Sequence, residues 1–300
     1  MRAVVSSLVV VSALILFPLA CTGSTGDGDG DGDGDGDGDG DGDGDGDGDG
    51  DGDGDGGVGG RQDGDIDTTT IALNGGSLTL SVDDDGDNTV MHDENDSVTI
   101  SATERPDVGV TITYRAVDDA AEAKLDDITW STVSEPSALL DISLPSDRRG
   151  ISVAVAIEVP ASTVLDLRAV AADFTITGMA AHIGGEVIDG SMTIESHSAD
   201  VLLETIAAAV DVTQSVLPAG GSIEITSTSG AVSVAVPADT NAAVTASTTA
   251  STISVSGPNT GGVTVQGGIV GESASGNLGT GDGLISITTI SSPITIETLQ

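Results

Sequence analysis

The sequence predicts an all-β fold: a β-solenoid, either a single-stranded right-handed β-helix or a flattened roll, preceded by antiparallel strands and a disordered Asp-Gly tether. Three observations predict it. Aromatic residues make up 1% of the chain, so a core must be built from Val, Ile, Leu, Ala and Thr, and β-branched residues favour strands. Short alternating strand cores recur about every 20 residues in the C-terminal half. An unbroken Asp-Gly repeat precedes all of them.

Residues 1–20, MRAVVSSLVVVSALILFPLA, predict a lipoprotein signal peptide. Arg2 supplies a short positive start, and Ala3 to Phe17 form an apolar stretch of the expected length. Leu19-Ala20 before Cys21 resembles a bacterial lipobox, although Pro18 stands where Leu or Val is usual. The resemblance implies that Cys21 is lipidated and becomes the mature N-terminus. The alternative is an uncleaved anchor, because the apolar run approaches the ~18 residues that span a bilayer.

Residues 21–65 predict a disordered, Asp-Gly-rich linker. Asp stands at every second position from Asp27 to Asp55, with glycine between, so there is almost nothing apolar to bury. Repulsion between these carboxylates extends the chain. The repeat opens like an EF-hand-type loop, yet its twelfth position is always Gly where calcium needs a bidentate acid. We therefore expect a spacer with at most weak Ca²⁺ binding.

The net charge of −41 excludes whole classes of partner. From Gly57 onward 34 acids face 7 arginines and lysines, so the charge of the body alone is 7 − 34 = −27. Such a chain repels nucleic acid and anionic lipid headgroups. A salt-rich habitat and a GC-rich genome with an acidic secretome both explain this composition.

Residues 66–158 predict an N-terminal region of alternating strands, arranged as antiparallel hairpins that lead into the solenoid. Residues 117–131 hold either one short helix or a loop. The segment from Asp83 to Glu94 has acids at positions 1, 3, 5 and 12 of a calcium loop. It follows an alternating strand instead of a helix, and Asp-Gly between strands is the common hairpin signal, so a solvated turn is the preferred interpretation.

Residues 159–300 predict the solenoid repeats, with two strands per repeat and small or polar turns between them. One strand cannot bury its apolar face alone, whereas stacking successive repeats buries it. An antiparallel β-sandwich with accidental spacing is the alternative. The two predicted series of strand centres are Phe174, Met192, Val212, Val232, Ile253 and Ile294, with a weak member near Ala274, and Leu165, Ile183, Val201, Ile223, Val244, Val263 and Ile285.

The sequence predicts no catalytic, cofactor or metal site. His92, His182 and His197 fit no metal-binding spacing, and the last two fall on predicted turns. The glycine-rich run at Gly276 lacks the lysine of a phosphate cradle and is interpreted as the last solenoid turn. Paired acids for glycoside hydrolysis could come from adjacent coils, although few aromatic rings exist to hold a sugar. The available acids are Asp173, Glu195, Asp200, Glu204 and Asp211.

Three features occur together in residues 66–300: Val159-Pro160 before the first repeat, recurring TSGAVSV-like units, and a terminal turn at Gly281-Asp282-Gly283. In these features the chain resembles the bacterial DUF4097 family of adhesin-like proteins. Ala, Ser or Pro replaces the usual turn glycine in Ser198-Ala199-Asp200 and Ser292-Pro293. The resemblance implies an extracytoplasmic single-stranded β-helix and supplies no binding residues.

These observations favour a lipid-anchored cell-envelope protein, on the outer membrane or cell surface, that displays its solenoid for adhesion or surface interaction. The membrane, through the lipid, and an unknown surface polymer or envelope protein are the expected partners. The alternatives are an envelope sensor or accessory subunit of a membrane partner and a polysaccharide-active β-helix enzyme.

Overall fold

The computed structural model describes residues 60–84, 96–145, 147 and 149–300. Cys21, the signal peptide, the Asp-Gly repeat and most of the Asp83 to Glu94 segment lie outside these residues. The described residues belong to one compact unit. Its strands are β1 (Ile66–Ile71), β2 (Ser77–Asp84), β3 (Asp96–Thr103), β4 (Val108–Ala116), β5 (Thr129–Val133), β6 (Ala138–Leu144), β7 (Ile151–Pro160), β8 (Val164–Thr177), β9 (Ile183–Ser196), β10 (Val201–Thr205), β11 (Ala209–Gln214), β12 (Ser222–Ser227), β13 (Val232–Pro237), β14 (Ala242–Thr248), β15 (Ile253–Ser256), β16 (Val263–Gly268), β17 (Gly271–Leu278), β18 (Gly283–Thr289) and β19 (Ile294–Leu299).

The all-β prediction is confirmed, because these strands join in one long open sheet. Most of them alternate between buried and outward-facing residues: in β12, Ile223 and Ile225 are buried and Glu224 between them faces outward. This period of two is the pattern of a strand with one covered face. The buried side chains form one continuous core, mostly of Val, Ile, Leu and Ala, that includes Phe174 and Tyr114.

The sheet consists of two ladders, which share the long strands β8 and β9. The first ladder runs β5-β6-β2-β8-β9-β10-β12-β18-β14-β17-β16 and uses the N-terminal halves of β8 and β9. The second runs β1-β4-β7-β3-β8-β9-β11-β13-β19-β15 and uses their C-terminal halves.

Parallel pairing places like side chains in register along each ladder. Leu165 lies opposite Ile183, Ile183 opposite Val201, and Val201 opposite Ile223. These four are consecutive members of one predicted series, so that part of the series is confirmed residue by residue. In the other series Met192 lies opposite Val210, not Val212, which instead pairs with Ile194 and Val234.

The C-terminal strands depart from the predicted chain order. β18 lies between β12 and β14, and β19 lies between β13 and β15, so the last pair of strands is inserted inside the stack. Val263 and Ala274 are not members of the parallel series, because β16 and β17 form an antiparallel hairpin that continues the first ladder. The glycine run at Gly276 belongs to the end of β17 and to the turn that leads into β18.

The prediction that residues 66–158 form antiparallel hairpins is only partly right. β4 pairs antiparallel with β1 and β7, and β5 pairs antiparallel with β6. β2 and β3 instead pair in parallel with β8, which places Leu78 opposite Leu165 and Val98 opposite Phe174. Residues 104–163 lie between β3 and β8 in the sequence. Because of this long separation, β2 and β3 show no 20-residue spacing in the sequence even though they belong to the parallel ladders.

Residues 117–131 contain both a helix and a turn. A short helix, α1 (Asp119–Glu122), follows Asp118, whose side chain accepts a hydrogen bond from the Ala121 amide at 2.8 Å. This is the N-cap interaction that Asp commonly provides. A 3₁₀ turn then places Leu125 in the core.

Candidate binding groove and anchoring cluster

A groove lies on the outer face of the first ladder, where β8, β9 and β10 lie side by side. Its volume is about 540 Å³. The register aligns Asp166, Gly184 and Leu202 across the three strands. Because glycine has no side chain, the outer face dips at Gly184. The groove spans two strand spacings, about 10 Å in total.

The glycine pair in β9 is required by the packing beneath the groove. A Cβ atom at Gly185 would lie 2.7 Å from the carbonyl oxygen of Leu167 and 2.9 Å from its Cβ atom. A Cβ atom at Gly184 would lie 3.0 Å from Nε2 of His182 and 3.7 Å from the carbonyl oxygen of Leu165. Position 185 therefore cannot carry a side chain without moving β8. At position 184 a side chain would press against the ring of His182 and extend into the groove, so glycine there keeps the groove open.

Charged and polar side chains line this groove. Arg168 lies opposite Glu186, and Glu186 lies opposite Glu204. Arg168 also donates a hydrogen bond to Asp166 at 3.3 Å, with both side chains largely exposed. The carboxylates only accept hydrogen bonds, whereas the guanidinium only donates them. The groove can therefore bind groups that both donate and accept, such as hydroxyls, and its excess of carboxylates favours amines over anions.

The five acids proposed for glycoside hydrolysis are divided between the two ladders. Glu204 lines the groove, whereas Asp200, on the same ladder, accepts a hydrogen bond from the Ser222 amide at 2.8 Å. Asp173, Glu195 and Asp211 lie on the second ladder. There Asp211 is level with Thr193, two residues before Glu195, so the Cα atoms of the two acids are roughly 8 Å apart. Asp173 accepts a hydrogen bond from the Ser191 hydroxyl at 2.7 Å.

The histidines do not form a common site within the described residues. His182 borders the groove, whereas His197 is exposed on a turn, and both lie between strands as predicted. His92 lies outside the residues that the structure describes. Among residues 60–84, 96–145, 147 and 149–300 no group of three or more His, Cys, Asp or Glu is placed to hold a metal ion.

A second polar site, which the sequence analysis missed, lies where β1, β4 and β5 meet. We call Arg61, Asp67, Tyr114 and Trp130 the anchoring cluster. Asp67 accepts hydrogen bonds from the Tyr114 hydroxyl at 2.6 Å, from Trp130 Nε1 at 3.0 Å and from Arg61 at 3.3 Å. The Arg61 guanidinium also lies 4.4 Å from the centre of the Tyr114 ring. This is within the range of a cation–π contact.

The cluster changes the acidity of two of its members. Burial opposes ionisation of Asp67, but hydrogen bonds from Tyr114 and Trp130 and the charge of Arg61 outweigh it, so the pKa of Asp67 is lowered. Burial and the hydrogen bond to Asp67 raise the pKa of Tyr114 to about 12. Asp67 is therefore a carboxylate and Tyr114 a neutral donor over the whole physiological pH range.

Arg61 also fastens the start of the described chain to the body. Its amide donates to Asp126 Oδ1 at 2.8 Å, and its guanidinium donates to the carbonyl oxygens of Leu125 and Ile128. Two signals in the sequence could have indicated this cluster. Arg61 is the first cation after the Asp-Gly repeat, and the chain holds one Tyr and one Trp.

Among the helices of the described residues, none has the length and apolar composition needed to cross a bilayer.

No protein-family model and no curated protein matches the sequence. Three solved structures resemble this fold. Each alignment covers about four-fifths of this chain and the whole of the other protein. A candidate cell adhesion protein from Clostridium sporogenes is 13% identical over 79% of this chain, with a TM-score of 0.44. A candidate adhesin from Bacteroides fragilis and a candidate lipid-binding protein from Parabacteroides distasonis are each 10% identical over 80% of it, with TM-scores of 0.25 and 0.27. Likenesses this distant transfer neither a ligand nor a binding residue.

Proposed function

We propose that this protein is a cell-envelope adhesion module that binds a surface polymer without catalysing a reaction. In this proposal Cys21 carries a lipid, the Asp-Gly repeat is a spacer, and the two ladders form a flattened two-sheet β-solenoid of the DUF4097 type. The observation that carries the proposal is the open groove at Gly184, which crosses three strands and presents hydrogen-bonding side chains to solvent.

The chemistry of the groove supports a hydroxyl-rich polymer that is neutral or bears amines. Its lining includes the carboxylates of Asp166, Glu186 and Glu204 and one guanidinium, that of Arg168. Sugar hydroxyls can satisfy both kinds of group, and an amino sugar gains further attraction from the carboxylates. The charge of the body, −27, opposes nucleic acid and other polyanions.

A fractionation experiment tests the proposed anchor. Replacement of Cys21→Ala in the full chain removes the acyl acceptor, and a protein that lacks its lipid chains loses stable membrane attachment. We expect the variant to leave the membrane fraction and the unmodified chain to remain there. A variant that still pellets with membranes would point to an uncleaved apolar anchor in place of a lipid.

A binding screen tests the proposed adhesion. The chain from Thr22 to Gln300 is applied to arrays of glycans and envelope polymers at low and high salt, with and without calcium. We expect saturable binding to neutral or amine-bearing polymers and none to polyanions, with salt weakening the binding of cationic ligands. A selective preference for polyanions would refute the proposed ligand class, and binding to no polymer would refute the adhesion role.

A further inference from the structure

Charge is distributed very unevenly along the body. All seven of its arginines and lysines lie between Arg61 and Arg168, and residues 169–300 contain none. Residues 240–271 contain no Asp, Glu, Lys, Arg or His at all. A neutral stretch of this length stands out in a chain whose net charge is −41. It requires a physical explanation, because the rest of the surface is kept apart from other copies by repulsion.

The neutral stretch forms the end of both ladders. It contains β14, β15 and β16, and within the described chain β16 pairs only with β17 and β15 only with β19. The outer side of β16 is therefore an open edge within the described residues. The outer side of β15 is partly covered, because the Ile253 amide donates a hydrogen bond to Glu272 at 2.6 Å. Such edges pair readily with another strand unless charges, proline or a covering segment protect them.

The edge of β16 lacks the protection that the edges at the other end of the sheet carry. β5 is flanked by Asp126-Asp127 and by Glu135-Pro136, and β1 contains Asp67 within the anchoring cluster. Neither a charge nor a proline occurs between Asn259 and Gly271. The β16 edge is thus the least protected edge in the described residues.

Exposed apolar side chains accompany this open edge. Val265 is 40% exposed, and Ile269 and Val270, at the tip of the β16–β17 hairpin, are 105% and 71% exposed. Val265 lies opposite the buried Ala274, so both side chains are on the core-facing side of the sheet. Val265 is on β16, the last strand of the first ladder, and is therefore less covered than Ala274. Covering this surface removes apolar area from water, which favours association.

We propose that β16 is a dimerisation edge, which pairs antiparallel with β16 of a second copy of this chain about a two-fold axis. A two-fold contact uses the same strand from both partners, so a neutral edge always meets a neutral edge. Two copies that approach through the C-terminal repeats outside this stretch bring acids together with no cation to offset them. A cationic partner would be drawn to those acidic faces, and the neutral end offers no cation to attract anionic headgroups. The inference does not depend on the identity of the polymer ligand.

Dimerisation through β16 would extend the first ladder from one body into the next. It would join the two bodies at their neutral ends and leave the grooves at Gly184 free on both. Two linked grooves bind a repetitive polymer more tightly than one, because the second contact forms at a high effective concentration.

Sedimentation equilibrium of the chain from Thr22 to Gln300 tests the dimer. We expect a reversible dimer that tightens as NaCl is raised, because salt screens the repulsion between the acidic bodies. Val265→Lys places a charge on the edge and weakens the dimer by at least about tenfold. Val133→Lys is the matched control, since Val133 is 44% exposed on the edge strand β5, and it leaves the dimer unchanged.

A crosslinking experiment separates loss of dimerisation from loss of folding. The chain from Thr22 contains no cysteine, so Val265→Cys introduces a single thiol. We expect mild oxidation to yield a disulfide-linked dimer from this variant and none from Val133→Cys. A chain that stays monomeric at every salt concentration overturns the proposal. Monomeric binding to phosphatidylcholine vesicles also overturns it, because the apolar tip would then serve a bilayer.

Discussion

Asp67 is a partly buried charged residue that links three strands of the body. Its carboxylate accepts hydrogen bonds from Tyr114, Trp130 and Arg61 and so connects β1 with β4 and β5. The lowered pKa of Asp67 means that the folded state binds the carboxylate form better than the unfolded state does. This single residue therefore makes the stability of the body depend on pH.

We expect Asp67→Asn to reduce the free energy of unfolding near neutral pH by about 1 kcal/mol, after allowance for solvent screening of a partly exposed carboxylate. A carboxyl whose pKa is lowered by folding contributes above its unfolded pKa of about 3.9, and loses that contribution as pH falls through the folded pKa. The difference between wild type and variant should therefore be constant from about pH 5 to 8 and shrink toward zero at lower pH. Urea unfolding at a series of pH values measures it.

The exposed Asp239 provides the control for this series, through Asp239→Asn. That substitution should change the free energy of unfolding by no more than about 0.5 kcal/mol at any pH. If the two variants showed the same pH dependence, the effect would reflect the overall charge of the body instead of the anchoring cluster.

Residue-level prediction succeeded where alternation alone decides the outcome. Leu165, Ile183, Val201 and Ile223 were predicted as inward-facing members of one series, and all four are buried and in register. The anchoring cluster was not predicted, because its members are dispersed along the chain and meet only when β1, β4 and β5 associate. The groove was missed for a related reason: Gly184 gains meaning only from Asp166 and Leu202 on the neighbouring strands.

At the scale of elements, the insertion of β18 and β19 inside the stack is the main departure from the sequence pattern. In the first ladder Ile285 lies opposite both Ile223 and Val244, and Ile287 lies opposite both Ile225 and Ala246. An apolar series of this kind fixes which residues face inward. It does not fix the order of the strands, because β12 could match β14 directly with the same inward residues.

Removal of residues 283–300 should therefore destabilise the body far more than the loss of a terminal strand pair from an open edge. The truncation leaves β12, β13, β14 and β15 each without one neighbour and exposes their inward side chains. We expect the cooperative urea transition, followed by circular dichroism, to disappear. A truncated chain with wild-type stability would show that β12 and β14 can pair directly.

A point substitution gives a milder version of the same test. Ile287 is buried in β18, and Ile287→Ala should cost about 2–5 kcal/mol through the lost burial and the cavity left behind. Val133→Ala on the exposed edge of β5 should cost no more than about 0.5 kcal/mol. Equal costs for both would mean that β18 does not lie inside the stack.

At the scale of the whole molecule, charge is the dominant constraint. The body carries −27, and its few cations all precede residue 169, so no cation offsets the acids of the C-terminal repeats. Repulsion among these acids opposes the compact state at low ionic strength. The composition indicated this from the outset. It could not indicate that the neutral residues 240–271 gather at one end of both ladders.

We expect the melting temperature of the chain from Thr22 to Gln300 to rise by roughly 5 °C between about 0.05 M and about 1 M NaCl, because the Debye length falls from over 10 Å to about 3 Å. Circular dichroism at increasing temperature measures this change, and a concentration series at each salt separates it from the effect of dimerisation. A melting temperature that does not rise with salt would show that the acidic surface is not under significant repulsion.

The most direct test of the adhesion groove is the affinity of a polymer ligand for the wild-type chain and for Gly184→Gln, measured by isothermal titration calorimetry. The substitution places a side chain in the space that Gly184 leaves open, and it should weaken binding at least about tenfold. The melting temperature, measured on the same sample, separates loss of binding from loss of folding, because the new side chain also contacts the ring of His182. Val133→Gln is the control, because Val133 is 44% exposed on β5, outside both the groove and the proposed dimer edge, and it should bind as wild type does. Unchanged affinity in Gly184→Gln would show that the polymer binds elsewhere and would refute the groove as the adhesion site.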